Sequence, residues 1–160
     1  MADESATRDS LRRRRAFSLP RPMGVLPSRV WTDEELRRIR SGCRARAMEE
    51  KWNVLAEDGG DVFLCRSWTG YAVYRASFGP AEGGWRIVEA VVEGDEERYS
   101  SFGDAYDRLM LELVLSFVVL GEPAAALRAQ LVDVVAERSG RPDVPPEFVL
   151  FSLLGYRSQP

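Results

Sequence analysis

A group of cationic and aromatic residues is the part of this chain whose chemistry could serve a ligand. Lys51 and Trp52 are followed, across one short turn, by residues 66–71, which read Arg-Ser-Trp-Thr-Gly-Tyr. A guanidinium fork can hold a phosphate or carboxylate through paired hydrogen bonds, while a planar ligand group stacks on an indole or phenol ring. The sequence therefore predicts a binding surface, and its candidate ligand contacts are Lys51, Arg66, Trp68, Thr69, Tyr71 and Arg75.

The elements that must position these residues are strands. Four runs are rich in Val, Ile, Phe, Tyr and Trp, which favour strands, and they cover residues 52–57, 62–68, 71–78 and 85–93. Glycine-containing turns separate them at residues 58–60, 69–70 and 79–84. Because short loops join antiparallel neighbours, the pattern predicts a four-stranded antiparallel meander.

Helices are predicted before and after the strands. Thr32 and Glu35 have the spacing of a capping box, so a first helix should follow them. A second box at residues 101–104 should open a long, mostly apolar helix. Two further helices should begin near Pro123 and at the prolines 145–146. This order predicts an α+β fold, in which an antiparallel sheet of about four strands packs against C-terminal helices and one helix precedes it.

The turn between the second and third strands decides which side chains share a face. If residues 69–70 form a two-residue hairpin loop, Trp68 pairs with Tyr71. One face then lies under the long helix, and its members are Phe63, Cys65, Ser67, Ala72, Tyr74, Ala76 and Phe78. The opposite face carries Arg66, Trp68, Tyr71 and Arg75. The β-branched Thr69 disfavours a positive φ, so a bulged turn that shifts this register is the alternative.

Two structural alternatives accompany the binding hypothesis. Arginines beside aromatic rings also occur in ordinary cross-strand packing. In that case Arg66 would pair with a carboxylate, from Glu49, Glu50 or Glu89. Lys51 could act as a base or an imine-forming amine if it were desolvated beside Glu50. A run of two glutamates and a lysine is also typical of a solvated strand entrance.

The absence of histidine and the small number of cysteines exclude several catalytic mechanisms and metal sites. The chain has no histidine, which excludes Ser-His and Cys-His catalysis and most zinc sites. Its two cysteines, Cys43 and Cys65, cannot form a structural zinc site by themselves. We therefore assign no catalytic residue, metal or cofactor, although enzymatic activity stays open. The net charge of −3 argues against general nucleic-acid binding by the folded domain, because such binding needs a basic surface.

Residues 1–28 are predicted to be a disordered tail, and residues 29–160 a single domain. The tail has six arginines against three acids, and it lacks the apolar periodicity that would offset the entropy of ordering it. An electrostatic arm for an acidic partner is the alternative. No apolar export signal follows the arginines, and the apolar run at residues 109–120 is too short to cross a bilayer. We therefore expect a cytoplasmic protein without a membrane partner.

The motifs also resemble a group of known proteins. The Lys51-Trp52 pair and the Arg-Ser-Trp-Thr-Gly sequence at 66–70 are similar to motifs of a poorly characterised family of small bacterial proteins, common in actinobacteria. Some members are joined to ADP-ribose-processing enzymes, which implies a surface for ADP-ribose or a related nucleotide. Members often carry histidine where this chain has Cys65, which implies that any chemistry of that histidine is absent here.

Three functions follow as hypotheses. The first is a non-catalytic binding or interaction module for a small molecule or a protein, with ADP-ribose or a nucleotide relative as the ligand that the resemblance implies. The second is a small enzyme that uses Lys51 and Glu50 for proton transfer, although no second, differently tuned acid–base pair accompanies them. The third is an accessory or immunity-type module whose acidic surface docks a basic protein.

Overall fold

One antiparallel sheet organises residues 16–156, the part of the chain that the computed structural model describes. Its strands are β1 (Pro20–Pro22), β2 (Trp52–Ala56), β3 (Val62–Arg66), β4 (Ala72–Ala81) and β5 (Gly84–Glu93). They lie in the order β1-β5-β4-β3-β2, and every neighbouring pair is antiparallel. The predicted meander is present as β2 to β5, and β1 adds a fifth strand at its edge.

Helices lie before the meander and after it. α1 is Asp33–Ser41, and the helices after β5 are α2 (Asp104–Leu113), α3 (Ala125–Ser139) and α4 (Pro146–Leu154). α2 continues directly into a π-helical segment, Val114–Val119. Within residues 16–156, no helix is both long and apolar enough to cross a bilayer. The predicted α+β class is therefore confirmed in this coarse form.

Only one of the two predicted capping boxes forms. The Thr32 hydroxyl accepts the Glu35 N–H at 3.1 Å, and the Glu35 carboxylate accepts the Thr32 N–H at 2.9 Å. The box predicted at residues 101–104 is wrong. Gly103, with φ 109°, occupies the cap of α2 without a side-chain bond. The Ser101 hydroxyl instead accepts the Gly103 N–H at 3.0 Å and donates to the Asp107 carboxylate at 2.8 Å.

Residues 16–28 are not the isolated tail that the sequence predicts. β1 pairs with the end of β5, and Met23 is buried in the core. The N–H groups of Ser18 and Leu19 donate to the Glu93 carboxylate at 2.7 and 2.8 Å. Proline has no N–H to donate to a neighbouring strand and is best tolerated at a sheet edge, where β1 lies. The folded region therefore begins before residue 29, and the arginine run at 12–15 lies outside the described residues.

The loop between β3 and β4 differs from the predicted two-residue turn. Arg66 donates its N–H to the Tyr71 carbonyl, and the Gly70 N–H donates to the Arg66 carbonyl at 2.9 Å. Four residues therefore lie in the loop. Gly70 takes a positive φ of 75°. A two-residue turn at residues 69–70 would require a positive φ at Thr69 as well, which a β-branched residue disfavours, so the loop is longer than a tight hairpin turn.

This longer loop changes which residues lie beneath α2. Leu64 pairs with Tyr74, and after a bulge Cys65 pairs with Ala72. Tyr74 belongs to the core that the sheet shares with α2, as predicted. A separate cluster on the other face of the sheet contains Leu55, Phe63, Cys65 and Ala72, with Phe17 packed against it. The predicted placement of Phe63, Cys65 and Ala72 beneath the helix is therefore wrong.

Ala124 holds a strained conformation at the start of α3. Its φ of 48° and ψ of 43° are left-handed, which costs a residue with a Cβ roughly 1–2 kcal/mol. We expect Ala124→Gly to raise the free energy of unfolding in urea denaturation by about 0.5–1 kcal/mol. Ala126→Gly, at an exposed position within α3, is the control and should lower that free energy by about 0.5–1 kcal/mol. A loss of stability in both variants would contradict the prediction.

Candidate functional site

The loop that carries the predicted motif lies against the residues that precede β2. The Ser67 N–H donates to the Lys51 carbonyl at 2.9 Å, and the Ser67 hydroxyl donates to the Glu50 carbonyl at 2.7 Å. The Trp68 indole N–H donates to the Met48 carbonyl at 3.0 Å. The two parts of the motif are therefore fixed side by side, with Lys51 next to Trp68.

The C-terminal end of α4 reaches the same place. The Tyr156 N–H donates to the Glu49 carbonyl at 2.8 Å, and Gly155 forms an isolated antiparallel bridge with Glu50. Gly155 has φ 70°, and a Cβ at this position would lie 3.0 Å from the backbone nitrogen of Lys51. A larger residue would push the two segments apart, so glycine lets the end of α4 pack against the motif.

Arg66 stabilises the contact between the end of α4 and the motif. Its guanidinium lies over the Trp52 ring, 4.9 Å from the centroid, and donates to the Leu153 carbonyl at 3.2 Å. The Trp52 indole N–H donates to the same carbonyl at 2.8 Å. Burial lowers the pKa of Arg66 from its usual value. The structure therefore uses Arg66 to hold the last turn of α4, where carbonyls lack partners within the helix.

Four residues form a surface that we name the aromatic patch: Lys51, Trp68, Phe151 and Tyr156. The Lys51 ammonium lies 4.9 Å from the Trp68 ring centroid and 5.2 Å from the Phe151 centroid. Phe151 meets Tyr156 edge-on, with 5.0 Å between centroids. Trp68 and Tyr156 are 61% and 63% exposed. The patch therefore combines a cation, held within cation–π distance of two rings, with exposed aromatic surface.

Two predicted contacts, Thr69 and Tyr71, are engaged by the fold. The Thr69 hydroxyl accepts the Tyr71 N–H at 3.2 Å, which fixes the loop. The Arg98 guanidinium lies 4.4 Å from the centroid of the Tyr71 ring and donates to the Ala16 carbonyl at 2.8 Å. Tyr71 is therefore positioned beside the segment that leads into β1.

Arg75 lies on the opposite face of the sheet from Arg66. Arg66 pairs with Trp52, whose side chain belongs to the core beneath α2. Arg75 pairs with Phe63, which belongs to the cluster on the other face. Its carboxylate neighbours are Asp61 at 3.9 Å and Glu89 at 3.8 Å. Residues opposite each other on paired strands share a face, so the predicted common face for Arg66 and Arg75 is wrong.

A buried polar network was not predicted from the sequence. The Tyr74 hydroxyl donates to the Asp107 carboxylate at 2.9 Å and lies 2.5 Å from the Tyr99 hydroxyl. Ser101 donates to the second Asp107 oxygen at 2.8 Å, and Arg21 approaches that oxygen at 3.4 Å. Burial raises the pKa of Tyr74 well above its usual value and also raises the pKa of Asp107, although the hydrogen bonds to Asp107 act in the opposite direction. The network joins β1, β4 and α2 and serves the fold.

Neither the remaining side chains of residues 16–156 nor comparison with known proteins assigns a catalytic group, a metal or a family to the site. The Glu50 carboxylate, a partner of Lys51 in the enzymatic hypothesis, accepts the Arg46 N–H at 3.0 Å. Residues 16–156 contain no group of three or more Cys, Asp or Glu placed to hold a metal ion. The chain matches no protein-family model, and comparison with curated proteins and with solved structures gives no match.

Proposed function

We propose that this protein is a non-catalytic binding module whose contact surface is the aromatic patch. The observation that carries this proposal is the position of the Lys51 ammonium, within about 5 Å of both the Trp68 and Phe151 rings. Held there, the cation can pair with a phosphate or carboxylate while a planar part of the ligand stacks on the exposed Trp68 ring. An anionic ligand with a planar group matches this chemistry.

The proposal assigns different ligand contacts from those that the sequence suggests. Lys51 and Trp68 remain, and Phe151 and Tyr156 are added from α4. Arg66 becomes a residue that positions the patch, because it fastens the helix that carries Phe151. ADP-ribose is the first ligand to test, since the resemblance to proteins joined to ADP-ribose-processing enzymes implies it.

A protein partner is the second candidate, and an exposed side chain beside the patch favours it. Met48, whose carbonyl binds the Trp68 indole, is 68% exposed. Exposed Met, Trp and Tyr side chains are enriched at interfaces between proteins and often contribute most of the binding energy there. An accessory module would use the same patch. Its aromatic side chains would then be buried against a partner protein and would not stack on a nucleotide base.

Calorimetric titration with ADP-ribose, AMP and ribose 5-phosphate tests the first candidate. We expect ADP-ribose to bind and Trp68→Ala to weaken its affinity by about fivefold or more, because loss of one base–aromatic stack costs about 1–3 kcal/mol. Lys51→Met should weaken all three ligands, since each contains a phosphate. AMP should bind better than ribose 5-phosphate, which has no base to stack.

Arg86→Met is the matched control, because Arg86 is an exposed cation on β5, away from the aromatic patch. It should leave every affinity unchanged. Melting temperatures of the three variants check that the fold is retained. Equal affinities for the wild-type protein and Trp68→Ala would contradict the proposed site. If none of the three ligands binds, the ADP-ribose form of the proposal is wrong and a protein partner is favoured.

A further inference from the structure

We infer that the groove between α3 and α4 is a self-association surface, in which a second copy of this chain docks by two-fold symmetry. The groove has a volume of about 610 Å³ and is lined mainly by apolar side chains. They include Phe102, Val132, Val135, Ala136, Val149 and Leu153. None of the four aromatic-patch residues lines this groove, so the inference does not rest on the proposed ligand site.

Val134, Val135, Leu150 and Leu153 pack against the core, yet the described residues leave part of the apolar surface of the two helices uncovered. Six of the nine residues of α4 are Phe, Val or Leu, yet Leu154 is the one buried residue of that helix. In α3, Leu131 is likewise the one buried residue, while Val132, Val134 and Val135 are half-buried. Helices of a globular protein normally bury their apolar stripe. An apolar surface that stays uncovered therefore indicates an interaction site.

The shape of the surface favours a second copy as its occupant. Phe148 lines the groove and is 69% exposed. The same surface thus contains both an exposed aromatic ring and a groove. A two-fold interface requires such a surface, because each copy presents the same residues to the other. A groove of this volume is within the range that takes drug-sized ligands, so it can accept a phenyl ring. In the dimer, Phe148 of each copy enters the groove of the other.

The charges around the groove support the same pairing. Asp133 on α3 and Arg141, just beyond the end of that helix, both line the groove and have opposite signs. Two-fold docking of one such surface on another can bring Asp133 of one copy to Arg141 of the other, so that both charges are matched. An apolar small molecule would match neither of them. A self-complementary partner therefore fits the groove better than a lipid-like ligand.

Sedimentation equilibrium over a wide range of protein concentration tests the inference. The wild-type chain should dimerise. Phe148→Glu should weaken the dimer by at least about tenfold, because it places a carboxylate in an apolar groove, and Phe148→Ala should weaken it less. Val88→Glu, which puts the same charge on an exposed apolar residue of β5, is the matched control and should dimerise like the wild-type protein.

Charge reversal tests the pairing of Asp133 with Arg141. Asp133→Arg and Arg141→Asp should each weaken the dimer, and the double variant should restore it, because the pair is then matched again with reversed signs. A chain that is monomeric at every concentration would overturn the inference, and so would a dimer that Phe148→Glu leaves intact. Weakening in both single variants without rescue in the double variant would overturn the assigned charge pairing. Circular dichroism of each variant confirms that it is folded.

Discussion

Arg66→Ala is expected to lower the free energy of unfolding by about 2–4 kcal/mol. The variant removes a hydrogen bond from a charged donor to the Leu153 carbonyl, worth about 1.5–3 kcal/mol, and the contact with the Trp52 ring, worth about 0.5–2 kcal/mol. It also leaves empty space beneath α4. Because α4 carries Phe151, we expect ligand affinity to fall as well, as a consequence of the lost helix position. Urea denaturation measures the first effect and calorimetry the second.

Arg75→Ala is the matched control, since it removes the same side chain from the next strand. Arg75 is partly exposed, and its carboxylate neighbours lie 3.8 and 3.9 Å away. Such pairs contribute about 0–1 kcal/mol, so this variant should remain within about 1 kcal/mol of the wild-type protein. If Arg66→Ala were as stable as Arg75→Ala and still lost ligand binding, Arg66 would be a direct ligand contact, as the sequence suggests.

Glu93→Gln is expected to lower the free energy of unfolding by about 2–4 kcal/mol at neutral pH. The buried Glu93 carboxylate accepts the N–H groups of Ser18, Leu19 and Asp95, at 2.7 to 3.1 Å. Hydrogen bonds to a charged group contribute about 1.5–3 kcal/mol each, and an amide offers one acceptor oxygen with an NH₂ group that would face N–H donors. β1 should therefore detach more easily from β5.

The Glu93 effect should depend on pH. Burial disfavours the charged form, but the three N–H donors and the nearby Arg98 guanidinium together outweigh it and lower the pKa of Glu93 below its usual value of 4.5. Between the lowered folded-state pKa and 4.5, the unfolded state binds the proton more readily than the folded state does. The contribution of Glu93 to the free energy of unfolding therefore rises with pH through this window and is fully present above it. Denaturation of both proteins at neutral pH and in acid should show the difference shrinking as the pH falls through the folded-state pKa.

Glu96→Gln provides the control for this pH series. Glu96 is an exposed residue in the segment that follows β5, and its substitution should change stability by within about 0.5 kcal/mol at every pH. A difference between wild type and Glu93→Gln that stays constant from neutral pH into acid would contradict the proposed role of the ionised carboxylate.

Features that depend on neighbouring residues could be predicted from the sequence. The Thr32 capping box needs only Glu35, three residues later, and the strand runs are defined by their own composition. The antiparallel pairing of β2 with β3, which brings the two parts of the motif together, also followed from the short connection between these strands. These parts of the fold and of the site use interactions that a local pattern contains.

Features that depend on distant residues could not be predicted. The bond from Arg66 to Leu153 joins positions 87 apart in the chain, and the bond from Ser18 to Glu93 joins positions 75 apart. No local pattern pairs such residues, so the sequence predicts either a ligand or a carboxylate as the partner of Arg66, and a tail before residue 29. The register error has a smaller cause, because the pairing of β3 with β4 is shifted by one residue, so that Leu64 and not Cys65 lies opposite Tyr74 and the β3 side chains exchange faces.

Because the four tryptophans are buried to different extents, the fluorescence of Trp68 can report on the aromatic patch. Trp31 and Trp52 are buried, Trp85 is half-buried and Trp68 is largely exposed. A water-soluble quencher such as iodide reaches an exposed indole far more readily than a buried one. Fluorescence lost to iodide therefore comes mainly from Trp68, and Trp85→Phe would remove the second contribution. Ligand arrival at the patch can then be followed as protection of Trp68 emission, without an attached dye.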